Sequence, residues 1–329
     1  MTTLPLLLEP LADRSLKVSA IVLYLDPKDE DGAENLVRQE AFVSLAAAFP
    51  CLITEESASQ LSPSCQESLK TAGCRIVETS AIENTDKIDL ANASSKIEWF
   101  SGRWYLEPTA HAGASHTASR SLELKLLQLV ANDADTRDIE AVFRQDPVLS
   151  YHLLRLVNSI GVTATRNISS FSQAILILGR QQLKRWLNLM LFSANRNDHR
   201  SAMLLAHVTV RARTMELLAK ASGLDRLAQE QAFMAGMFSL LGVLFGMPLE
   251  KVLTPLNLSK PLAAGLLERE GDIGNLLHAL DAAESVDVAA LSTRLSSLGV
   301  AAKDFNLLTV EAHHWMLGVI HNREKNGND

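Results

Sequence analysis

Three cysteines in 329 residues are too few for a disulfide framework. None of Cys51, Cys65 and Cys74 forms a C-x-x-C pair or lies near a histidine at metal-ligand spacing, so they read as reduced thiols of a cytoplasmic protein. A basic excess is missing as well: 31 Lys and Arg against 38 Asp and Glu leave a net charge of −7. That balance argues against a general polyanion binder, and nucleic acid is not expected as a partner. The opening MTTLPLLLEPLADR has no basic n-region, no long apolar h-region and no small-residue cleavage site, so it is not read as a secretory signal. There is no Walker loop, no G-x-S-x-G and no Rossmann fingerprint; GMFSLLG at 236–242 has two glycines but no following Lys. Repeats at a fixed solenoid period are not evident. A single uncharged apolar run, 232–249, just reaches the length of a membrane-spanning helix. Gly242, Gly246 and Pro248 interrupt it, and acidic Glu230 and Glu250 flank it where basic anchors would be expected. It reads as a buried helix of a bundle, without membrane insertion.

What is present divides near residue 108. The chain is long enough for two domains and, at 47% hydrophobic residues, has the means to bury a core. Residues 1–108 hold 9 Lys and Arg against 17 Asp and Glu, whereas the remainder holds 22 against 21, so the acidity belongs to the first part. In that part KVSAIVLYL (17–25) has the apolar continuity of a strand buried on both faces, and ENLVRQEAFVSLAAAF (34–49) has helical spacing. CLITEE, SCQESLKTAG and CRIVET then repeat the order strand, helix, strand, with Gly73 as a helix stop, and IEWFSGRWYLEP closes the unit. The expectation is an α/β domain over 1–108 with a small, mostly parallel sheet, short for a complete barrel. TAHAGASHTAS at 109–119 lacks apolar periodicity and gives a linker over 109–118. From 119 to 323 helical patterns dominate: Leu122, Leu126, Leu127 and Val130 share a stripe, Asp135 or Thr136 opens a helix, and Pro147 suits a first helical position. This part is expected to be an all-helical bundle, followed by a disordered tail over 324–329.

The string DIEAVFRQDPVLSYHLLRLVNSIGVTATRNISSFSQAILILGRQQLKRWLNLMLFSA, 138–194, resembles the opening of the HDOD domain, a helical relative of the HD phosphohydrolases. The step Gln145-Asp146-Pro147, the LLRLVNS helix and the ISS-x6-LG-x4-RW sequence carry the resemblance, which continues through AFMAGMFSLLGVLFGMPLEKVL and LEREGDIGNLLHALDAAE. LLEPLADRSLKVSAIVLYL (7–25) and WFSGRWYLEP (99–108) resemble the two ends of an EAL domain, the fold of cyclic di-GMP phosphodiesterases, with the middle cut down. Together they imply an α+β two-domain bacterial signalling protein: a small degenerate EAL-like α/β domain followed by an all-α HDOD bundle.

The chemistry of both parent families needs metal ligands, and the matching positions lack them. Where the HD pattern has His and Asp after a G-L-L, this chain has Ser239 and Leu240 after Gly236, Met237 and Phe238; leucine does not ligate, and a serine hydroxyl is a poor neutral substitute. The Glu of the EAL first strand corresponds to Val22, and the closing Gln to Ser101. His207 stands where an earlier ligand would sit and reads as a lone residue at the helix surface or core edge. His313 and His314, being adjacent, point to different faces, and His278 and His321 have no partner at i+4. Glu55, Glu56, Glu78 and Asp86 read as a solvated acidic face, and Arg180, Lys184, Arg185 and Arg196 as a solvated basic one, with Trp186 in the core. No catalytic residue, cofactor or metal is assigned. The expectation is a cytoplasmic, non-catalytic protein that binds signalling proteins in a cyclic di-GMP, motility or attachment network, with the open sheet edges covered by a second copy or a stable partner. Two alternatives follow from the same resemblance. One is a degenerate cyclic-dinucleotide receptor, for which an acidic half without an Arg cluster is a poor host; the other is a residual metal-dependent phosphohydrolase.

Overall fold

The computed structural model describes residues 4–107, 132–143, 200–254 and 258–324, together with Lys125, Gln128, Leu129 and Arg185. The chain is α+β: a curled six-stranded sheet with helices comes first, and a mostly helical region follows. The stripe Leu122, Leu126, Leu127 and Val130, the linker 109–118, the HDOD-like motifs from Gln145 to Ala194 apart from Arg185, the side chain of His321 and the tail beyond Glu324 lie outside the described residues.

The first part runs β1 (Leu7–Asp13), β2 (Val18–Tyr24), α1 (Glu30–Val37), α2 (Glu40–Ala48), β3 (Cys51–Thr54), α3 (Glu55–Ser59), α4 (Pro63–Thr71), β4 (Cys74–Val77), β5 (Ile82–Asn84) and β6 (Trp99–Ser101). The helical pattern over 34–49 is realised as two helices, because Gln39 takes an extended conformation (φ −72°, ψ 140°) between them. The strand order is β4-β3-β2-β1-β6-β5, so β4 and β5 are the ends of an open sheet. Three of the pairings are parallel, while β1 runs antiparallel to both of its neighbours. Pro10 withholds a donor from β1, but it lies where β1 has β2 on one side only, since pairing with β6 begins at Ala12. Alternation along β2 sends Ile21 and Leu23 to the main core and Ala20 and Val22 to a second cluster with Leu11, Leu52, Ala81 and Trp99 on the opposite face, while a shift of the β1–β2 register beyond Ala20 returns Val18 to the main core. Gly73 takes φ +96° after α4, the left-handed stop that returns the chain to β4.

The later helices are α5 (Thr136–Phe143), α6 (Ser201–Ala221), α7 (Arg226–Phe238), α8 (Leu241–Phe245), α9 (Leu249–Leu253), α10 (Lys260–Leu267), α11 (Gly271–Glu284), α12 (Val288–Ser297) and α13 (Ala302–Glu324). α6 is packed by α7 and α13. The apolar run at 232–249 is not one helix: the chain breaks at Ser239 and Leu240, which separate α7 from α8, and Gly246 closes α8 with φ 61°. Among the described residues, 226–245 is the stretch long and apolar enough to cross a membrane, and in this fold its residues Ala232, Phe233, Met237, Phe238 and Leu241 are buried in the core.

The sheet and the helical region share one apolar core. α2 lies along α13, and Asn306 of α13 ties down the start of the chain by accepting from the Leu6 N–H (2.7 Å) and donating to the Leu4 carbonyl (3.0 Å). A buried Arg200 donates to the Glu107 carbonyl at the end of the sheet region.

Candidate functional site

A cavity of about 430 Å³ opens where the sheet meets α6, α11 and α13. Its sheet side is built by β1, Tyr24 at the end of β2, and the turn after β6, which carries Gly102, Arg103 and Tyr105; its helical side presents His207, Thr214, Glu284, Thr309 and His313. Asn84, Asp86, Arg103, Ser285 and Val286 are exposed and form the rim. Val286 sits there at φ 58°, a left-handed conformation unusual for a β-branched side chain. The size is that of a small-molecule pocket.

Glu9 lies opposite Val22 and so shares the sheet face of the second cluster, at whose cavity end Tyr24 and the turn at Gly102 meet it. One carboxylate oxygen accepts from the Tyr24 hydroxyl (2.6 Å) and the other from the Gly102 N–H (2.9 Å). Burial pushes its pKa up against those two hydrogen bonds and the field of Arg103. Burial, and then the nearby Glu9 charge and its hydrogen bond, raise the Tyr24 phenol in turn.

On the helical side a chain of polar groups crosses from the sheet into the bundle. The Tyr105 hydroxyl and His207 Nδ1 are 3.3 Å apart, and His207 Nε2 is 3.5 Å from a Glu284 oxygen. Glu284 accepts from Arg211, whose guanidinium also donates to Asp281 (3.2 Å) and, through Nε, to the Ser239 hydroxyl (3.2 Å). Ser239 donates onward to the Gly236 carbonyl (2.8 Å). Burial lowers the His207 pKa well below the usual histidine value, with the charges of Arg211 and Arg103 acting in the same sense. Burial raises Glu284, opposed by Arg211. His313 is driven down to about 4, again chiefly by burial; its Nδ1 donates to the Thr309 carbonyl (2.8 Å), while Nε2 approaches the Leu8 carbonyl without completing a hydrogen bond.

The positions singled out in the sequence fall in two places. Ser239 and Leu240 end α7: Leu240 is buried among apolar side chains, and Ser239 is held by Arg211. Val22 packs in the second apolar cluster, and Ser101 is buried in β6. His207, read as a lone residue of the helix surface or core edge, is half-buried at the cavity wall, with Tyr105 at Nδ1 and Glu284 near Nε2 without a completed hydrogen bond. Its partners stand about a hundred and about eighty residues away, so nothing local in the sequence marks them. His313 is buried and His314 exposed, as adjacent helical positions dictate. Glu55, Glu56, Glu78 and Asp86 are exposed, Asp86 at the cavity rim. Arg185 does not belong to a solvated face: it pairs with Glu216 and lies over the Phe233 ring at 4.5 Å. Cys51, Cys65 and Cys74 are buried free thiols, and burial pushes them up to about 12, 11 and 12. Sequence reading missed Arg211, Glu284, Glu9 and Tyr105. Among the described residues, no three His, Cys, Asp or Glu side chains are grouped to hold a metal ion.

Comparison with known proteins places this geometry in context. Residues 121–254 match the HDOD domain. Over 236 residues the chain is 28% identical to the cyclic di-GMP phosphodiesterase CdgJ of Vibrio cholerae serotype O1, covering 71% of this chain and 54% of that protein. It is 27% identical over 222 residues to the uncharacterized protein YuxH of Bacillus subtilis, covering 66% of this chain and 54% of YuxH. The chain thus spans about half the length of the curated relatives it matches. α6 and α7, with Arg211 and Ser239, fall within the matched HDOD segment; Glu284 and the sheet lie outside it.

Proposed function

We propose that this chain is a non-catalytic signal-transduction protein that works through protein contacts in a bacterial cyclic di-GMP network. The observation that carries the reading is Arg211. At the end of α7, where the HD pattern calls for a metal-binding His and Asp, stand Ser239 and the buried Leu240, and the serine hydroxyl takes a hydrogen bond from a guanidinium. A buried fixed cation that also binds Asp281 and Glu284 occupies the carboxylates a divalent ion would need, and it repels such an ion. On the sheet side we read β1, β2 and β6 as the remnant of an EAL-like domain. Val22, at the position of the first-strand Glu, carries no carboxylate and packs in the second apolar cluster. The likeness to CdgJ, which bears the name of a cyclic di-GMP phosphodiesterase, supports the network assignment.

The test is direct. Purified protein incubated with cyclic di-GMP and Mg²⁺ or Mn²⁺ leaves the nucleotide intact, and the protein co-purifies from its native cells in fixed ratio with a protein of that network. Turnover that scales with the chain and requires metal overturns the reading. Saturable calorimetric binding of cyclic di-GMP without turnover replaces it with that of a receptor.

A further inference from the structure

We infer that the cavity at the junction of the sheet and the helices binds a small organic cation with an apolar body. The inference goes beyond the signalling role and holds whether or not the chain is catalytic. It rests first on polar atoms that the fold buries and leaves unused. Thr214 and Thr309 are 2% and 6% exposed, and neither hydroxyl has a hydrogen-bond partner among the described residues; His313, 1% exposed, has no completed bond at Nε2. All three line this cavity. An unpaired buried polar group costs free energy, so three on one wall mark a surface completed by something else.

The charges on the walls select what that is. Glu9 is half-buried and forms no ion pair among the described residues; its two hydrogen bonds come from neutral donors, leaving further lone pairs on the carboxylate. Glu284 faces the same space, and Arg211, which pairs with it, does not line the cavity. His313 stands on the same wall, with its Nδ1–H donating to the Thr309 carbonyl. The interior therefore presents acceptors and hydroxyls. The cation among its lining residues, Arg103, is exposed at the rim, which Asp86 also lines. A ligand with a carboxylate or phosphate at its inner end would bury a second negative charge against Glu9; an amidinium, guanidinium or ammonium would complete it. Leu7, Leu8, Val210, Leu280 and Phe305 supply apolar wall for the body of the molecule.

The probe is benzamidine, with benzoate as its anion of matched shape, titrated calorimetrically into the full chain. Benzamidine is expected to bind saturably with a dissociation constant on the order of a millimolar or tighter, the range for so small a ligand, and benzoate not to bind. The double variant Thr214→Val, Thr309→Val removes two hydroxyls at nearly constant shape. Because they have no partner in the free protein, it should melt at the same or a higher temperature while weakening benzamidine binding about tenfold. Benzoate binding as well as benzamidine, neither binding, or a double variant with unaltered affinity each overturns the inference. So does a double variant that melts lower, since the hydroxyls would then be holding the fold.

Discussion

Replacing Gly236 by alanine tests the packing on which the Arg211 cluster depends. A Cβ built at Gly236 would stand 2.6 Å from Ala212 Cα, 2.7 Å from Ala212 N and 2.8 Å from the Arg211 carbonyl oxygen. Ordinary contact between carbon atoms is about 3.5–4.0 Å, so α7 must retreat from α6 by roughly 1 Å. All three neighbours are backbone, and no side-chain rotation relieves the clash. Overpacking of a core costs about 1–3 kcal/mol, and a rigid obstacle argues for the upper end; alanine returns about 1 kcal/mol through its better helix propensity. The net expectation is a loss of about 2 kcal/mol. Gly318 provides the control: it is exposed in the middle of α13, and a Cβ there meets nothing within 4 Å. Gly318→Ala should therefore gain up to about 1 kcal/mol from propensity alone. Urea unfolding followed by far-ultraviolet circular dichroism, with midpoints compared at constant slope, reads both variants. The same chemical change must move the midpoint in opposite directions. A Gly236→Ala midpoint at or above that of the parent refutes the close approach of α6 and α7.

Three further outcomes follow from the buried groups. Leu241 is fully buried at the start of α8, so Leu241→Asp should abolish cooperative unfolding of the helical region in a thermal melt, whereas an unchanged melting temperature would mean that this face is exposed. Arg211→Met strands Glu284 without its cation and should cost about 3–5 kcal/mol in denaturant unfolding; adding Glu284→Gln should restore most of it, and no recovery would refute the pairing. His313 stays neutral in the folded chain down to about pH 4 but takes up a proton near its ordinary value of 6.5 when unfolded, so the unfolded state binds more protons in that window. The contribution of His313 is then constant above pH 6.5 and falls as pH drops, by on the order of 3 kcal/mol at pH 4. Glu9 and Glu284, both raised, act in the opposite sense, and His207 in the same one, so the quantity to measure is the stability of the parent minus that of His313→Asn. A flat difference between pH 6.5 and 4 refutes the burial of a neutral imidazole.

The elements legible in the sequence were those whose signal is local. The apolar continuity of KVSAIVLYL gives β2, and Gly73 marks the end of α4. β1 was hidden because Glu9 and Pro10 interrupt its apolar pattern, and Glu9 makes sense only beside Tyr24 and a Gly102 N–H 93 residues away. The division of 34–49 into two helices rests on the dihedral angles of Gln39, which side-chain spacing does not encode. The site was less legible than the fold. Ser239 and Leu240 are visible as a departure from a pattern, but what replaces the pattern is Arg211, 28 residues earlier, with Glu284 a further 73 residues from Arg211.

That replacement also bears on how the two regions are joined. Arg211 on α6 holds Ser239 at the end of α7 and Glu284 at the end of α11, and Glu284 lies against His207, whose ring meets Tyr105 from the sheet region. Apolar burial is non-directional, so the shared core alone specifies the register of the sheet on α6 and α13 less sharply than directed polar contacts do. Hydrogen-bonded groups in a low-dielectric interior are more demanding: displacing Tyr105 leaves His207 Nδ1 without its partner, at a cost of about 1–3 kcal/mol. The polar chain thus fixes one register between sheet and bundle. A ligand that engages Glu9 and Glu284 together has to act on that register, because the two carboxylates stand on opposite sides of the junction.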